Sequence, residues 1–216
     1  CCAVAIILVL FFLLRNSMRV QKLMYKDPEF NIWNLHYLRY RAVKKLAADK
    51  NSNYAIAYTD IGQFKNYNAL YGWNAGQRIL ELVIETLSGA VDNKRELYAR
   101  SYGSHFVLFV KYENVEALRK RLMDIADKIS SQIFKKMDTH MSLAMGVGCL
   151  ENGDDDLQRA LSEGIQLVDS LKDSYNNAVQ IYDDKLRAQL RETHEREKLL
   201  ESVDINQDFV AYYQAK

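Results

Sequence analysis

The sequence predicts a mixed α/β domain of the α+β kind, with helices packed on a central, mostly antiparallel sheet. Three observations carry this expectation. Short apolar, β-rich runs occur near 54–60, 97–100, 106–112, 139–148 and 178–182. Stretches with apolar residues three and four apart lie between them. Their order is βαββαβ, with a leading helix and a late helix and strand, which is the split ferredoxin-like arrangement.

The leading helix is placed at 31–49, where Ile32, Leu35, Leu38, Ala42, Val43 and Leu46 recur on one side, with Asp27 and Pro28 marking its approach. The first strand, 54–60, is bounded by Asn51, Ser52 and Asn53 before it and Gly62 after it. A second helix spans 75–87, with Ile79, Leu80, Leu82, Val83 and Leu87 on one face. The stretches 97–100 and 106–112 form a hairpin around a turn at 102–105. Helices at 114–135 and 156–171 enclose the strand at 139–148, and 178–182 is the last strand.

Two flanking segments differ in character. Residues 1–14 contain no charged or polar side chain, and Arg15, Arg19 and Lys22 follow. Fourteen residues are short of the roughly 20 that cross a bilayer, so 1–15 is expected to be the end of a longer transmembrane helix, with the basic residues on the cytoplasmic side. A polar connector at 16–26 leads into the domain at 27–183. Residues 184–203 are highly charged and read as an exposed linker helix.

The 216 residues suffice for one well-buried domain and its flanks. Lys and Arg number 29 against 28 Asp and Glu, which removes the global basic field of a nucleic-acid binder. Cys1, Cys2 and Cys149 suggest neither a disulfide framework nor a metal cluster.

The most specific residues are 60–77, DIGQFKNYNALYGWNAGQ. They resemble, without a gap, the D-I-D-x-F-K-x-I-N-D-x-Y-G-H-x-x-G-D block of GGDEF diguanylate cyclases. Residues 100–106, RSYGSHF, stand where that family carries R-Y-G-G-D-E-F on a hairpin, keeping Arg100, Gly103 and Phe106. Residues 27–34 match the opening D-x-L-T-G-L-x-N at Asp27 and Asn34. The last residues, 208–216, resemble the F-x-x-Y-Y-Q-P-K strand that opens EAL phosphodiesterase domains, which makes 204–216 the expected first strand of such a domain.

The resemblance implies the GGDEF-type nucleotidyl-cyclase palm and a site in which acidic residues hold magnesium on a triphosphate. Asp60 is kept as a residual metal ligand, but the second acid of D-I-D is Gly62, and the hairpin acids are Ser104 and His105. One carboxylate where the chemistry needs a cluster predicts a domain without catalysis. Tyr102 replaces a glycine of the hairpin and is expected to fill the nucleotide pocket with its phenol.

Asn68 matches the family's base-reading residue, and Gln77 stands where the family pairs an aspartate with guanine. Lys65 and Arg100 match positions that face phosphates. Lys65, Asn68, Gln77 and Arg100 are therefore the candidate nucleotide-binding residues, with GTP and magnesium as the candidate ligands and no cofactor assigned. The family's product site, R-x-x-D just before the hairpin, falls on residues 93–96, where Asn93 replaces the arginine and Glu96 the aspartate, so the resemblance implies no product inhibition. A plain structural account also fits: Asp60 capping a turn, Asn68 shaping a loop, Lys65 and Arg100 as solvated charges.

The expected function is a non-catalytic regulatory domain of a bacterial inner-membrane cyclic-di-GMP protein, cytoplasmic, coupled to a downstream EAL domain. A residually active cyclase and a purely structural dimerisation module are the alternatives. A second copy of the chain and a guanine nucleotide are candidate partners.

Overall fold

In the computed structural model, residues 24–151, 156–171 and 174–183 are described without a break, with separate positions between 10 and 20 and between 186 and 198. Helix α1 (Leu35–Ala48) leads into β1 (Asn53–Ile61). Helices α2 (Phe64–Tyr71) and α3 (Trp73–Ala90) follow, then the hairpin β2 (Leu97–Tyr102) and β3 (His105–Tyr112). Helix α4 (Val115–Met137), β4 (Leu143–Leu150), α5 (Leu157–Leu171) and β5 (Ala178–Ile181) complete the order.

The five strands run β2-β3-β1-β4-β5 across one sheet. All neighbours are antiparallel except β4 and β5, which are parallel. Strand β1 is central because it is apolar on both faces. Tyr54, Ile56 and Tyr58 point to one side, against Leu38, Ala42 and Leu46 of α1 and Leu157, Ala160 and Leu161 of α5. Ala55 and Ala57 point to the other, against Ile79 and Val83 of α3 and Leu122, Ile125 and Ile129 of α4. A strand covered on both faces reads as a continuous apolar run, which is why 54–60 was legible without alternation. Each fully buried side chain of this core, such as Phe106, Phe109 or Leu122, contributes about 1.5–3 kcal/mol of transfer free energy.

Helix α5 approaches β4 closely because Gly146 and Gly148 face it. A Cβ on Gly146 would lie 2.1 Å from the Gly164 carbonyl oxygen, and one on Gly148 would lie 2.1 Å from that of Ala160. Backbone atoms cannot yield there, so any side chain at either position forces α5 off the sheet.

Three elements differ from expectation. Helix α1 starts at Leu35, not 31, because Asn34 caps it by accepting from Tyr37 N at 3.0 Å, while 27–33 form a turn around the Asp27 carboxylate. Helix α2 falls in a stretch read as loop; its eight residues carry one buried side chain, Tyr67, and so give no periodic signal. Strand β4 begins at Leu143, whose N–H is taken by the Asn177 side chain, so 139–142 lie outside the ladder and it runs on to Leu150. The hairpin turn falls at 102–105 as expected: Tyr102 pairs with His105 after a register shift, and Gly103 turns the chain at φ +52°.

Two units divide the chain, Cys1–Ile181 and Tyr182–Lys216. In the second, Asp183 accepts from Leu186 N at 2.7 Å, and Glu192 and Arg196 pair four residues apart at 2.6 Å on a helical stretch. Among the described residues no helix is long and apolar enough to cross a membrane. The apolar run 1–14 lies mostly outside them, though Leu10, Phe11 and Phe12 are helical and exposed. The strand expected at 204–216 lies wholly outside them.

Candidate functional site

The site grows from the end of β1, where the apolar run stops. Asp60 is the last polar residue of the strand, and the chain then leaves the sheet through Gly62 and Gln63, the latter left-handed at φ +60°. The Gly62 N–H donates to the Ser142 carbonyl at 2.8 Å, and a Cβ at Gly62 would lie 2.5 Å from Ser142 Oγ. The position of the family's second aspartate thus lies against Ser142, just before β4, and a side chain there would require the Ser142 hydroxyl to turn away.

Helix α2 carries Lys65 and Asn68, Gly72 breaks the helix at φ +83°, and α3 restarts at Trp73 and brings Gln77 round. The hairpin supplies the opposite wall. Together they enclose a cavity of about 290 Å³, near the low end of the roughly 300–1,000 Å³ usual for ligand clefts. All four sequence-predicted residues, Lys65, Asn68, Gln77 and Arg100, line it, as do Tyr102, Gly103, Ser104 and His105. Phe106, the last residue of the altered hairpin motif, is fully buried and belongs to the core.

The Tyr102 phenol does not fill the cavity. It lines the rim, 64% exposed, with its ring 4.5 Å from that of His105. Trp73 stands on the same rim, 62% exposed. The sequence reading passed over it, although it occupies a fixed place in the 60–77 block.

Behind the hairpin, Asp60 Oδ1 accepts from Ser104 Oγ at 2.7 Å. His105 Nδ1 lies 3.5 Å from the same oxygen, a close contact too long and misaligned to be a hydrogen bond, so this buried nitrogen has no partner. Burial first, reinforced by the Tyr102 hydroxyl and the Asp60 charge, raises the pKa of the neighbouring Tyr58 phenol and keeps it neutral.

The magnesium ions that the resemblance implies do not fit this donor set. Asp60 is one carboxylate already engaged by a hydroxyl, Ser104 brings no charge, and an imidazole is a poor ligand for a hard cation. Among the described residues no three His, Cys, Asp or Glu side chains converge to hold a metal.

Arg100 is 5% exposed and its guanidinium is already engaged. It donates to the Gly103 carbonyl at 2.9 and 3.0 Å, to Asp27 at 3.3 Å, and to Glu29 through a short hydrogen bond. Glu29 in turn accepts a short hydrogen bond from Gln77 Nε2. The opening motif, the base wall and the hairpin are thus tied into one network, Asp27–Arg100–Glu29–Gln77. Glu29 escaped the sequence reading because its role depends on residues about fifty and seventy positions away. Asn68 differs: its Oδ1 is buried and unpaired, packed against Gly76, where a Cβ would lie 1.8 Å from it.

Comparison with known proteins agrees with this architecture. The domain described as "Diguanylate cyclase, GGDEF domain" matches residues 25–178. Over 64% of its length the chain is 28% identical to "Cyclic di-GMP phosphodiesterase PdeB" of Shewanella oneidensis, of which it spans 16%. Over 53% it is 24% identical to "Probable diguanylate cyclase DgcT" of Escherichia coli, of which it spans 26%.

Among solved structures, the coiled coil and GGDEF domain of DgcB from Caulobacter crescentus, in complex with c-di-GMP, superposes with a TM-score of 0.68 at 17% identity, covering 83% of this chain and 97% of that one. The active GGEEF domain of a diguanylate cyclase from Vibrio cholerae gives 0.62 at 21% identity, covering 70% and 97%. At these identities the structures speak for the fold; the sequence match, spanning most of the chain, places this protein in the GGDEF domain family of cyclic-di-GMP signalling.

Proposed function

We propose that this chain is a degenerate, non-catalytic GGDEF domain that binds a guanine nucleotide and relays its occupancy within a larger cyclic-di-GMP protein. The observation that carries this reading is the split fate of the site. The cavity keeps its base-side residues, Asn68 and Gln77, and its phosphate-side Lys65. The metal side has Ser104 bonded to Asp60 where the family has an acid. A site built this way holds a nucleotide but lacks the charge neutralisation that phosphoryl transfer requires.

The relay has a material basis in the entry to the domain. Asn34 N–H donates to the Tyr25 carbonyl at 3.0 Å and Asn34 Nδ2 to that of Met24 at 2.9 Å. Asn34 also bridges to Arg100, whose N–H donates to the Trp33 carbonyl at 3.0 Å. The connector entering the domain is therefore bonded to the base of the hairpin that walls the cavity.

The wider setting belongs to the same proposal. The apolar run 1–14, whose described Leu10, Phe11 and Phe12 are exposed, anchors the domain at the inner membrane with its body in the cytoplasm. The motif at 208–216 opens an EAL domain that the nucleotide-bound state regulates, and PdeB, named as a phosphodiesterase, supports that setting.

Incubating the purified chain with labelled GTP and magnesium tests the catalytic half of the proposal. The expected result is unchanged GTP. Enzyme-dependent formation of cyclic di-GMP would support a residually active cyclase instead.

A further inference from the structure

Gln77 stands at the base wall of the cavity with an amide, a group that presents either a donor or an acceptor depending on which way it is turned. A free amide flips between the two at little cost. Here it is not free: Nε2 donates to Glu29 Oε1. Glu29 accepts from Arg100 through its other oxygen, and its side chain is only 21% exposed. An ionised carboxylate accepts hydrogen bonds and donates none, so an amide facing it presents nitrogen to it. The polar atom of Gln77 left for a ligand is then the acceptor Oε1. Asn68 lines the same cavity, but its Oδ1 is buried against Gly76, so the acceptor that faces the ligand is that of Gln77.

We infer that Glu29 is a positioning residue that fixes the Gln77 amide with its acceptor available to the ligand, so that the cavity selects a base carrying adjacent N–H donors, guanine, over adenine. This rests on the nucleotide-binding reading above and adds the origin of its selectivity. Guanine offers N1–H and N2–H₂ side by side, and the two lone pairs of the Gln77 carbonyl accept from that edge. Adenine offers one amino group beside an unprotonated ring nitrogen, which would meet an acceptor with an acceptor. The carboxylate absent at position 77 is thus replaced in effect by one at position 29, acting through a neutral intermediary. Glu29 lies where the family opening motif has an apolar residue, so the pairing of Glu29 with Gln77 is a property of this chain.

The test compares dissociation constants for GTP and ATP, measured by calorimetry on the full chain, with those of Glu29→Leu and Glu29→Gln. Glu29→Leu removes the acceptor, and Glu29→Gln keeps the size but substitutes a group that donates as readily as it accepts. The wild-type chain is expected to prefer GTP by roughly tenfold or more, because the wrong base meets the fixed Gln77 acceptor with an acceptor of its own. Both variants are expected to bring the two affinities within roughly threefold of each other, chiefly by improving ATP binding, a gain that loss of structure does not produce. Either variant suffices if the other fails to fold. A folded variant that keeps the wild-type preference overturns the inference, as does wild-type protein that binds both nucleotides equally while GTP binding itself stands. Absence of any nucleotide binding in the wild type overturns both this inference and the reading beneath it.

Discussion

The two ends of β2 treat buried polar groups in opposite ways. At its start, Glu96 is 4% exposed and fully satisfied: it accepts from Asp92 N at 2.9 Å, from Lys111 N at 3.0 Å and from both Arg121 nitrogens at 2.7 Å. Beyond its far end, His105 Nδ1 on β3 and Asn68 Oδ1 on α2 are buried with no hydrogen-bond partner. Leaving a buried polar group unpaired costs about 1–3 kcal/mol, so the fold completes its polar network where that network only holds structure. It leaves groups unpaired in the walls of the cavity. Glu96 falls on the acidic position of the family's product-site pattern, and here it works as the anchor of a structural ion pair.

That contrast is breakable first at the satisfied end. Arg121→Ala strands a buried carboxylate and is expected to cost roughly 2–4 kcal/mol in urea denaturation, the upper range being tempered by the partial exposure of Arg121. A loss under about 0.5 kcal/mol would show that the network is ornamental.

The same pair sets an acid dependence. Burial pushes the Glu96 carboxyl up, but the Arg121 hydrogen bonds, the Asp92 and Lys111 N–H groups and the Arg121 charge outweigh it, so its pKa is lowered on folding. A lowered carboxylate pKa stabilises the fold above the unfolded value, near 4.3, and that stability is lost as pH falls through the folded value. The denaturation midpoint should drop below about pH 4.3, and drop less steeply in Arg121→Ala. Parallel pH profiles would remove Glu96 from the account.

At the other end, the double variant Ser104→Asp, His105→Glu places two carboxylates beside Asp60, three in all. Like charges are expected to lower stability by about 1–2 kcal/mol without divalent cations, with recovery on adding millimolar magnesium. Unchanged stability in both conditions would mean that the hairpin residues do not face Asp60. The smallest structural effect belongs to Asn68→Ala, which deletes an acceptor that bonds to nothing. Stability should stay within about 0.5 kcal/mol while GTP affinity falls at least about tenfold. Equal losses of stability and affinity would make Asn68 a structural residue.

The order of strands and long helices was legible because β1 and β3 are apolar on both faces and α3, α4 and α5 bury regular stripes. Helix α2 was not, since only Tyr67 of its eight residues is buried. Of the site, the contiguous 60–77 block marked Lys65, Asn68 and Gln77, which the cavity brings together. The roles of Arg100 and Glu29 were hidden, because a phosphate-facing arginine and one pinned by Asp27 and Glu29 have the same sequence. So was the contact of Gly62 with Ser142, eighty residues later. Long-range pairing of single polar residues leaves no periodic trace.

The most direct measurement is a calorimetric titration of GTP, with magnesium present, into the full chain and into Asn68→Ala. Saturable binding that the variant loses, with the GTP recovered intact, is the predicted result. No heat at millimolar GTP would contradict it and leave a structural relay or dimerisation module in its place.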